Sequence, residues 1–292
     1  MDFFMAALLG LFQGLTEFLP ISSSGHLNLL QALFHLNLER QLLFNILLHV
    51  GTLIPVLIVF WKDWWDMLLH PIRNKTLLLL FIASLPALMA KILFQKQLDF
   101  FETRNTLLGV CFLFTGAFLL LAQKIATDRK GKKAEGKTQV GFLQAIAMGC
   151  MQAIGILPGI SRSGSTIFGG VASGLTREAA AKFSFMMSAP AIVAGLLSEG
   201  YDALKAGELF AAGDLPAIAL GVVVAAISGY FSIRFMLRLI SKASLNWFAL
   251  YVILLGIVVI LLQISGILVD APAAETAEAA IAQGLSFWLP IA

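Results

Sequence analysis

The sequence predicts an all-α integral membrane protein built as an inverted repeat, in which each half has one re-entrant helical hairpin and three spanning helices. Three observations support this fold class. The chain is 59% apolar and only 13% charged, with a mean hydropathy of +0.89, so its surface requires lipid. A pattern of polar and glycine residues recurs at a constant offset. Each half contains two short apolar segments followed by three long ones.

The recurring pattern begins around Gln13–His26 and returns, altered, around Gln152–Gly164. Equivalent residues are 139 positions apart in every pair: Gly10 and Gly149, Gln13 and Gln152, Ile21 and Ile160, Ser22 and Ser161, Ser24 and Ser163, Gly25 and Gly164, Phe44 and Phe183. The constant spacing indicates an internal duplication. It places two polar loops at equivalent positions, where they can face each other across one site.

Long apolar segments predict the spanning helices, since a crossing requires about 20 apolar residues. Six segments meet this length: 42–61, 76–94 and 105–123 in the first half, and 180–198, 215–236 and 246–268 in the second. Three crossings per half is an odd number, so the second half must enter the bilayer from the opposite side. Sites in such inverted repeats usually lie near the midplane, at the interface between the repeats.

Four shorter apolar segments, 3–19, 26–36, 141–157 and 165–175, form two pairs that are each interrupted by a loop of Pro, Ser and Gly. Irregular backbone at membrane depth is tolerated only where protein or a wet cavity satisfies its polar groups. We therefore predict re-entrant hairpins at 3–36 and 141–175. The alternative is that each pair is two short buried helices joined by an ordinary surface loop.

Basic residues predict the orientation. Apart from Arg162, fourteen Lys and Arg residues fall on one side of the predicted membrane and five on the other, namely Arg40, Lys91, Lys96, Arg104 and Lys205. The richer side is expected in the cytoplasm. The basic segment 124–140 then links repeats 1–123 and 141–268 in the cytoplasm, as a charge anchor and not a nucleic-acid site. Both termini, including an Ala/Glu-rich tail at 269–292, face outward.

Ionisable residues inside membrane segments are costly and usually functional. Glu17, His26, His49 and Arg162 are the ones that cannot reach an interface. Gln13 lies four residues before Glu17, so both side chains share one helix face. That face points toward the loop that contains three serines.

The two loops carry the groups that phosphoryl chemistry needs. Three hydroxyls, a glycine and a helix start form an anion cradle in the first loop, and an arginine fork suited to phosphate lies in the second. The predicted phosphate-binding residues are Ser22, Ser24, Ser161, Arg162, Ser163 and Thr166. A carboxylate favours a divalent cation, and a histidine can exchange protons with a serine, water or leaving group.

Simpler interpretations remain open for these residues. Serines in membrane helices often serve close packing, Glu17 and Arg162 can form a structural ion pair, and His49 can hydrogen-bond a neighbouring helix. An inverted-repeat transporter or lipid-phosphate flippase is the alternative function. It would need no nucleophile, so its flux would survive the loss of Ser23 or His26. The acid-phosphatase-like lipid phosphatases fit poorly, since their Lys/Arg-Pro first motif is missing.

Two motifs, Glu17-Phe-Leu-Pro-Ile-Ser-Ser-Ser-Gly-His26 and Pro158-Gly-Ile-Ser-Arg-Ser-Gly-Ser-Thr166, resemble those of the undecaprenyl-pyrophosphate phosphatase family of the bacitracin-resistance type. The resemblance covers about residues 5–268. It implies a phosphatase of the bacterial inner membrane that removes the terminal phosphate of undecaprenyl diphosphate. This reaction recycles the lipid carrier for peptidoglycan synthesis and lowers sensitivity to bacitracin.

The resemblance also implies residue roles. It assigns the acidic motif to Gln13 and Glu17, with Mg²⁺ or Ca²⁺ as cofactor, and catalysis to Glu17, Ser23, His26 and Arg162. The site is expected to open to the outer face and to take a prenyl diphosphate lipid. Gln13 departs from the family, which often has Glu there, so Glu17 is the one sure anionic ligand. The sequence does not choose between attack by Ser23 and attack by water, and it leaves a homodimer open.

Overall fold

The computed structural model describes residues 2–34, 36, 38–102, 105, 107–127, 136–206 and 212–268. The predicted tail at 269–292 and the middle of the predicted linker lie outside these residues. The helices of the described chain are α1 Phe3–Glu17, α2 Ser23–Leu33, α3 Leu38–Val59, α4 Trp61–Leu69, α5 Thr76–Leu93, α6 Gln95–Glu102, α7 Leu108–Ile125, α8 Phe142–Ile154, α9 Arg162–Ala172, α10 Arg177–Ala206, α11 Leu215–Leu239 and α12 Asn246–Ile264. The prediction of an all-α protein is confirmed.

Five of these helices, α5, α7, α10, α11 and α12, are long and apolar enough to cross a membrane. A sixth candidate consists of α3 and α4, whose axes meet at 75°. The chain is therefore a multi-pass membrane protein. The bend differs from the predicted straight span at 42–61, because regular helix ends at Val59 and Phe60 leaves helical geometry. The following α4 mixes Trp with Lys and Asp, a composition that suits the membrane interface.

The offset of 139 residues relates the helices as well as the motifs. Adding it to the first residues of α1, α2, α3 and α5 gives the first residues of α8, α9, α10 and α11, and α7 corresponds to α12 within one residue. Equivalent helices exchange partners: α1 packs against α11, and α8 packs against α5. Two pairs of equivalent helices, α3 with α10 and α7 with α12, contact each other directly.

Equivalent glycines allow the exchanged helices to approach closely. A Cβ atom on Gly149 of α8 would lie 2.5 Å from the carbonyl oxygen of Ala83 in α5. Its equivalent Gly10 in α1 faces the backbone of Gly221 in α11 in the same way. Small residues at such crossings let membrane helices pack through their backbones. The short helices α1 and α8 are thereby fixed to spanning helices of the other half.

Candidate active site

The site begins at the ends of the short helices. Glu17 is the last residue of α1, and Ser22 and Ser161 cap the starts of α2 and α9. Ser22 Oγ accepts from the Gly25 N–H at 3.2 Å, and Ser161 Oγ accepts from the Gly164 N–H at 3.0 Å. These bonds satisfy N–H groups that every helix start leaves free. Both caps stand at equivalent positions of the repeat.

The two loops touch each other. Ser163 Oγ donates to the Leu19 carbonyl oxygen at 3.1 Å, and the Arg162 guanidinium is ion-paired with Glu17. Ser22 has a φ of +72°, which among the described non-glycine residues is the only positive value. Such a conformation is uncommon for a side-chain-bearing residue, and strained residues are concentrated at functional sites.

Glu17 gathers donors from three parts of the chain. Arg162 Nη2 donates to its Oε1, while Ser23 Oγ and Gln13 Nε2 donate to its Oε2 at 2.6 and 2.9 Å. His49 Nε2 lies 3.6 Å from the same Oε2, and its Nδ1 is 2.8 Å from the Asn45 carbonyl oxygen. The sequence favours a hydrogen bond from His49 to a neighbouring helix over a catalytic role, and it does not predict the contact with Glu17. The position of His49 beside Glu17 is set by helix α3, which the local sequence could not reveal.

Three buried polar atoms around this cluster have no hydrogen-bond partner among the described residues: Gln13 Oε1, Gln152 Oε1 and Arg162 Nη1. Buried polar groups are almost always paired, so each such atom calls for an explanation. Two carbonyl-type oxygens can accept a cation or a donor, and a guanidinium N–H can donate to an anion. The cluster therefore offers two acceptors and one donor to a polar ligand.

His26 faces away from this cluster. Its Nδ1 lies 2.7 Å from the Ser22 carbonyl oxygen and its Nε2 lies 2.8 Å from the Tyr251 hydroxyl. The ring stacks on Tyr251 with centroids 5.7 Å apart and meets the edge of Phe112. No hydrogen bond joins His26 to Ser23 in the described chain. The structure thus brings Ser23 to Glu17, and places His26 beside Ser22 and Tyr251.

The second loop is held by its own hydroxyls. Ser161 Oγ lies 3.2 Å from Ser163 Oγ, and the Ser161 N–H donates to Thr115 Oγ1 at 2.9 Å. Thr166 Oγ1 donates to the Arg162 carbonyl oxygen at 2.8 Å and lies 2.6 Å from Ser184 Oγ. All of these hydroxyls are buried. In this structure they support the loop that carries Arg162.

A cavity of about 440 Å³ opens beside the cluster. Its lining includes the polar residues Glu17, Ser22, Ser23, Ser24, His49, Gln152 and Arg162, and the part beside the Glu17–Arg162 ion pair is called its polar end. Apolar residues of α3, α5 and α10 form much of the remaining wall, among them Ile46, Leu88, Ile92 and Ile192. Lys91 also lines the cavity and pairs with Glu199 at 2.9 Å. Of the predicted phosphate-binding residues, Ser22, Ser24 and Arg162 reach this cavity.

The donor set limits what metal the site can hold. The described residues contain no group of three or more His, Cys, Asp and Glu side chains placed to bind a metal ion. Glu17 and the two unpaired amide oxygens of Gln13 and Gln152 are hard oxygen donors. Mg²⁺ and Ca²⁺ prefer such oxygens, and Mg²⁺ commonly binds through one or two carboxylates together with substrate phosphates. The residues present fit that kind of ion.

Comparison with known proteins identifies the family. The model of the family described as "Bacitracin resistance protein BacA" matches residues 6–258. A protein of Carboxydothermus hydrogenoformans is 42% identical over 269 residues, 91% of this chain and 99% of that protein. One of Halothermothrix orenii is 40% identical over 266 residues, 90% and 98% of the two chains. Both are named undecaprenyl-diphosphatase. This chain belongs to the BacA family of bacitracin resistance proteins.

Proposed function

We propose that this protein is a membrane phosphatase that hydrolyses undecaprenyl diphosphate to undecaprenyl phosphate and phosphate. The observation that carries the proposal is the convergence of Glu17, Ser23 and Arg162 at the polar end of a cavity with largely apolar walls. Phosphoryl transfer depends on positioning and on neutralising charge, and these residues supply both. The relatives' shared name, undecaprenyl-diphosphatase, supports the same substrate.

The cavity suits a ligand with an anionic head and an apolar chain. In the proposed complex the diphosphate lies at the polar end, and the prenyl chain follows Ile46, Leu88, Ile92 and Ile192. Arg162 Nη2 is occupied by Glu17, whereas Nη1 is unpaired and available to a phosphate oxygen. The hydroxyls of Ser22 and Ser24 line the same end and can donate to the remaining oxygens.

Ser23 is the proposed nucleophile. Its hydroxyl already donates to Glu17 Oε2 at 2.6 Å, so that carboxylate can accept the proton as Ser23 Oγ bonds to the terminal phosphorus. The bond from phosphorus to the bridging oxygen breaks, and undecaprenyl phosphate leaves. Water then cleaves the phosphoserine and releases phosphate. The catalytic role assigned to His26 stays a prediction, and its bond to the Ser22 carbonyl oxygen supports a role in holding the loop.

A divalent cation, Mg²⁺ or Ca²⁺, is the proposed cofactor, held by Glu17 and Gln13 together with the diphosphate. It would neutralise charge on the phosphate oxygens. The unpaired Oε1 of Gln13 supports this assignment, because a buried acceptor without a donor is available to a cation. Gln13 Nε2 meanwhile orients Glu17 through its bond to Oε2.

The proposed architecture is the inverted repeat with two re-entrant hairpins, 3–36 and 141–175, in the inner membrane. The exchange of partners between α1, α11, α8 and α5 supports a two-fold relation between the halves, and the odd number of predicted crossings per half makes that relation an inversion. With the basic side in the cytoplasm, both termini lie outside. Lys91, which lines the cavity and is counted on the predicted outer side, supports an opening on the outer face.

The first experiment is phosphate release from farnesyl diphosphate by the purified chain in detergent, with and without EDTA. Ser23→Ala removes the nucleophile, and Arg162→Lys keeps the charge beside Glu17 but lacks the second fork nitrogen. We expect EDTA and Ser23→Ala to abolish release, and Arg162→Lys to reduce it by about tenfold or more. Arg73→Lys, at an exposed position, is the matched control and should be unchanged.

A phosphoserine at Ser23, trapped by acid quench, would distinguish covalent catalysis from direct attack by water. A well-folded wild-type protein that releases no phosphate would contradict the proposed function. In that case flux of lipid phosphate in liposomes would test the transporter.

A further inference from the structure

Gln152 is a buried amide that none of the roles above uses. It lies on α8, its residue is 2% exposed, and its Oε1 has no hydrogen-bond partner in the described chain. Yet it lines the same cavity as Glu17, Ser23 and Arg162. Leaving a buried acceptor unpaired is destabilising, so a ligand that satisfies this oxygen would explain why it is there.

The repeat gives this glutamine a counterpart. Gln152 and Gln13 are 139 positions apart, and in both side chains Oε1 is buried and unpaired. Their surroundings differ. Gln13 is 0% exposed, donates to Glu17 and does not line the cavity. Gln152 is part of the cavity wall, so its side chain borders the space in which the diphosphate and its cation are proposed to lie.

The chemistry of the unpaired oxygen limits which kinds of ligand it can bind. An amide oxygen is a neutral acceptor, which an anionic phosphate oxygen cannot satisfy. Arg162 Nη1 lies in the same site and is also unpaired, so these two atoms are not bonded to each other. A divalent cation brought by a diphosphate satisfies an amide oxygen and prefers oxygen ligands.

We propose that Gln152 Oε1 is a ligand of the divalent cation that accompanies the diphosphate, so that the second repeat contributes to the cation site as Glu17 does from the first. The proposal rests on the proposed function and deepens it. It also compensates for Gln13, because the cation then has a second protein oxygen at the cavity surface.

The test measures cation binding directly. The full-length protein in detergent is saturated with a farnesyl methylenebisphosphonate, a non-hydrolysable diphosphate analogue, and titrated with Mn²⁺ while free Mn²⁺ is followed by electron paramagnetic resonance. We expect Gln152→Met to weaken Mn²⁺ binding about tenfold or more, as loss of metal-site support typically does. Gln152→Glu supplies an anionic oxygen and should strengthen binding severalfold.

Gln144→Met is the matched control on the same helix. Gln144 is also buried, but its Oε1 accepts from the Gly141 N–H at 3.2 Å and its Nε2 donates to the Ser173 carbonyl oxygen at 3.0 Å. Its loss should lower thermal stability and leave Mn²⁺ affinity unchanged.

Wild-type Mn²⁺ affinity in both Gln152 variants would overturn the proposal and leave Gln152 a packing residue. If Gln152→Met does not fold, the Mn²⁺ affinity of Gln152→Glu tests the proposal: a higher affinity supports it, and an unchanged or lower affinity contradicts it. Absence of Mn²⁺ binding by the wild-type complex would also overturn it. A wild-type protein that binds Mn²⁺ with the analogue but releases no phosphate would contradict the proposed function alone.

Discussion

Glu17 is the residue on which the site depends, because its carboxylate joins the two loops and the first helix. Its side chain is 2% exposed and receives donors from Arg162, Ser23 and Gln13. A buried carboxylate is tolerated only when it is paired and hydrogen-bonded. The Arg162 side chain, by contrast, is 19% exposed and borders the cavity. An unpaired Glu17 carboxylate is therefore expected to destabilise the fold more than an unpaired Arg162 guanidinium.

This difference predicts an asymmetry in stability. Arg162→Met leaves a fully buried carboxylate without its cation and should destabilise the protein by about 3 kcal/mol or more. Glu17→Gln leaves a cation that can partly reach water in the cavity, and should be less destabilising. The double variant should be more stable than Arg162→Met, yet inactive. Thermal unfolding of the four proteins in one detergent measures the order, and equal losses from both single variants would contradict it.

The residue pairings show which parts of the site could be predicted from the sequence. Glu17 and Arg162 were identifiable because charge inside a membrane segment is costly whatever its partner. The hydrogen-bond partner of His26 could not be identified from the sequence, since Tyr251 is 225 residues away and lies on α12, which packs against α7. Gln152 was visible as the repeat of Gln13, but its unpaired oxygen depends on tertiary surroundings.

At the scale of helices, hydrophobic length predicted most elements. Five predicted spans appear as α5, α7, α10, α11 and α12, and the short apolar segments appear as α1, α2, α8 and α9. Hydropathy does not predict α4 and α6, because both are short, mix charged with apolar residues and do not reach the length of a span. The boundaries of α4 and α6 are seen in the backbone geometry and cannot be read from hydropathy.

The crossing of α7 and α12 gives a prediction about an element. A Cβ atom on Gly256 would lie 2.8 Å from the Gly109 carbonyl oxygen, and one on Gly109 would lie 2.9 Å from the Gly256 carbonyl oxygen. Backbone cannot move aside as a flexible side chain can. Gly256→Ala should therefore push the helices apart and destabilise the protein by about 1 to 3 kcal/mol. Because α12 carries Tyr251, the stacking on His26 should loosen as well.

Gly200→Ala is the matched control for this substitution, since no atom lies within 4 Å of a Cβ at that helical position. There alanine should be neutral or should stabilise α10 slightly, by at most about 1 kcal/mol. Thermal unfolding in detergent measures both variants. If Gly256→Ala melts at or above the wild-type temperature, the close contact of α7 and α12 does not limit stability.

At the scale of the whole molecule, the site belongs to neither half alone. Glu17 and Ser23 come from the first repeat and Arg162 and Gln152 from the second, while the cavity wall combines α3 and α5 with α10. Duplication was readable from the offset of 139 residues, because equivalent motifs keep their spacing. The exchange of helix partners between the halves could not be read from the sequence, since contacts between distant segments leave no local pattern in the chain.

The proposed path of the prenyl chain gives a prediction at this scale. Gly195 of α10 lines the cavity, and a Cβ atom there would lie 2.9 Å from Cδ1 of Ile46, the far end of a flexible side chain. Gly195→Phe should therefore fold while it narrows the apolar part of the cavity. We expect kcat/KM for undecaprenyl diphosphate to fall about tenfold or more, and that for a short prenyl diphosphate to fall much less.

Gly200→Phe is the control. Gly200 lies five residues later on the same helix and does not line the cavity, so the added ring should not narrow the path. We expect kcat/KM to be unchanged for both substrates. The ratio of the two kcat/KM values separates a blocked chain from a damaged site, because harm to Glu17, Ser23 or Arg162 lowers both equally. An unchanged ratio in Gly195→Phe would mean that the long chain leaves the cavity elsewhere. A changed ratio would mean that the prenyl chain contacts the cavity wall formed by α3 and α10, and that this wall determines the selectivity for prenyl length.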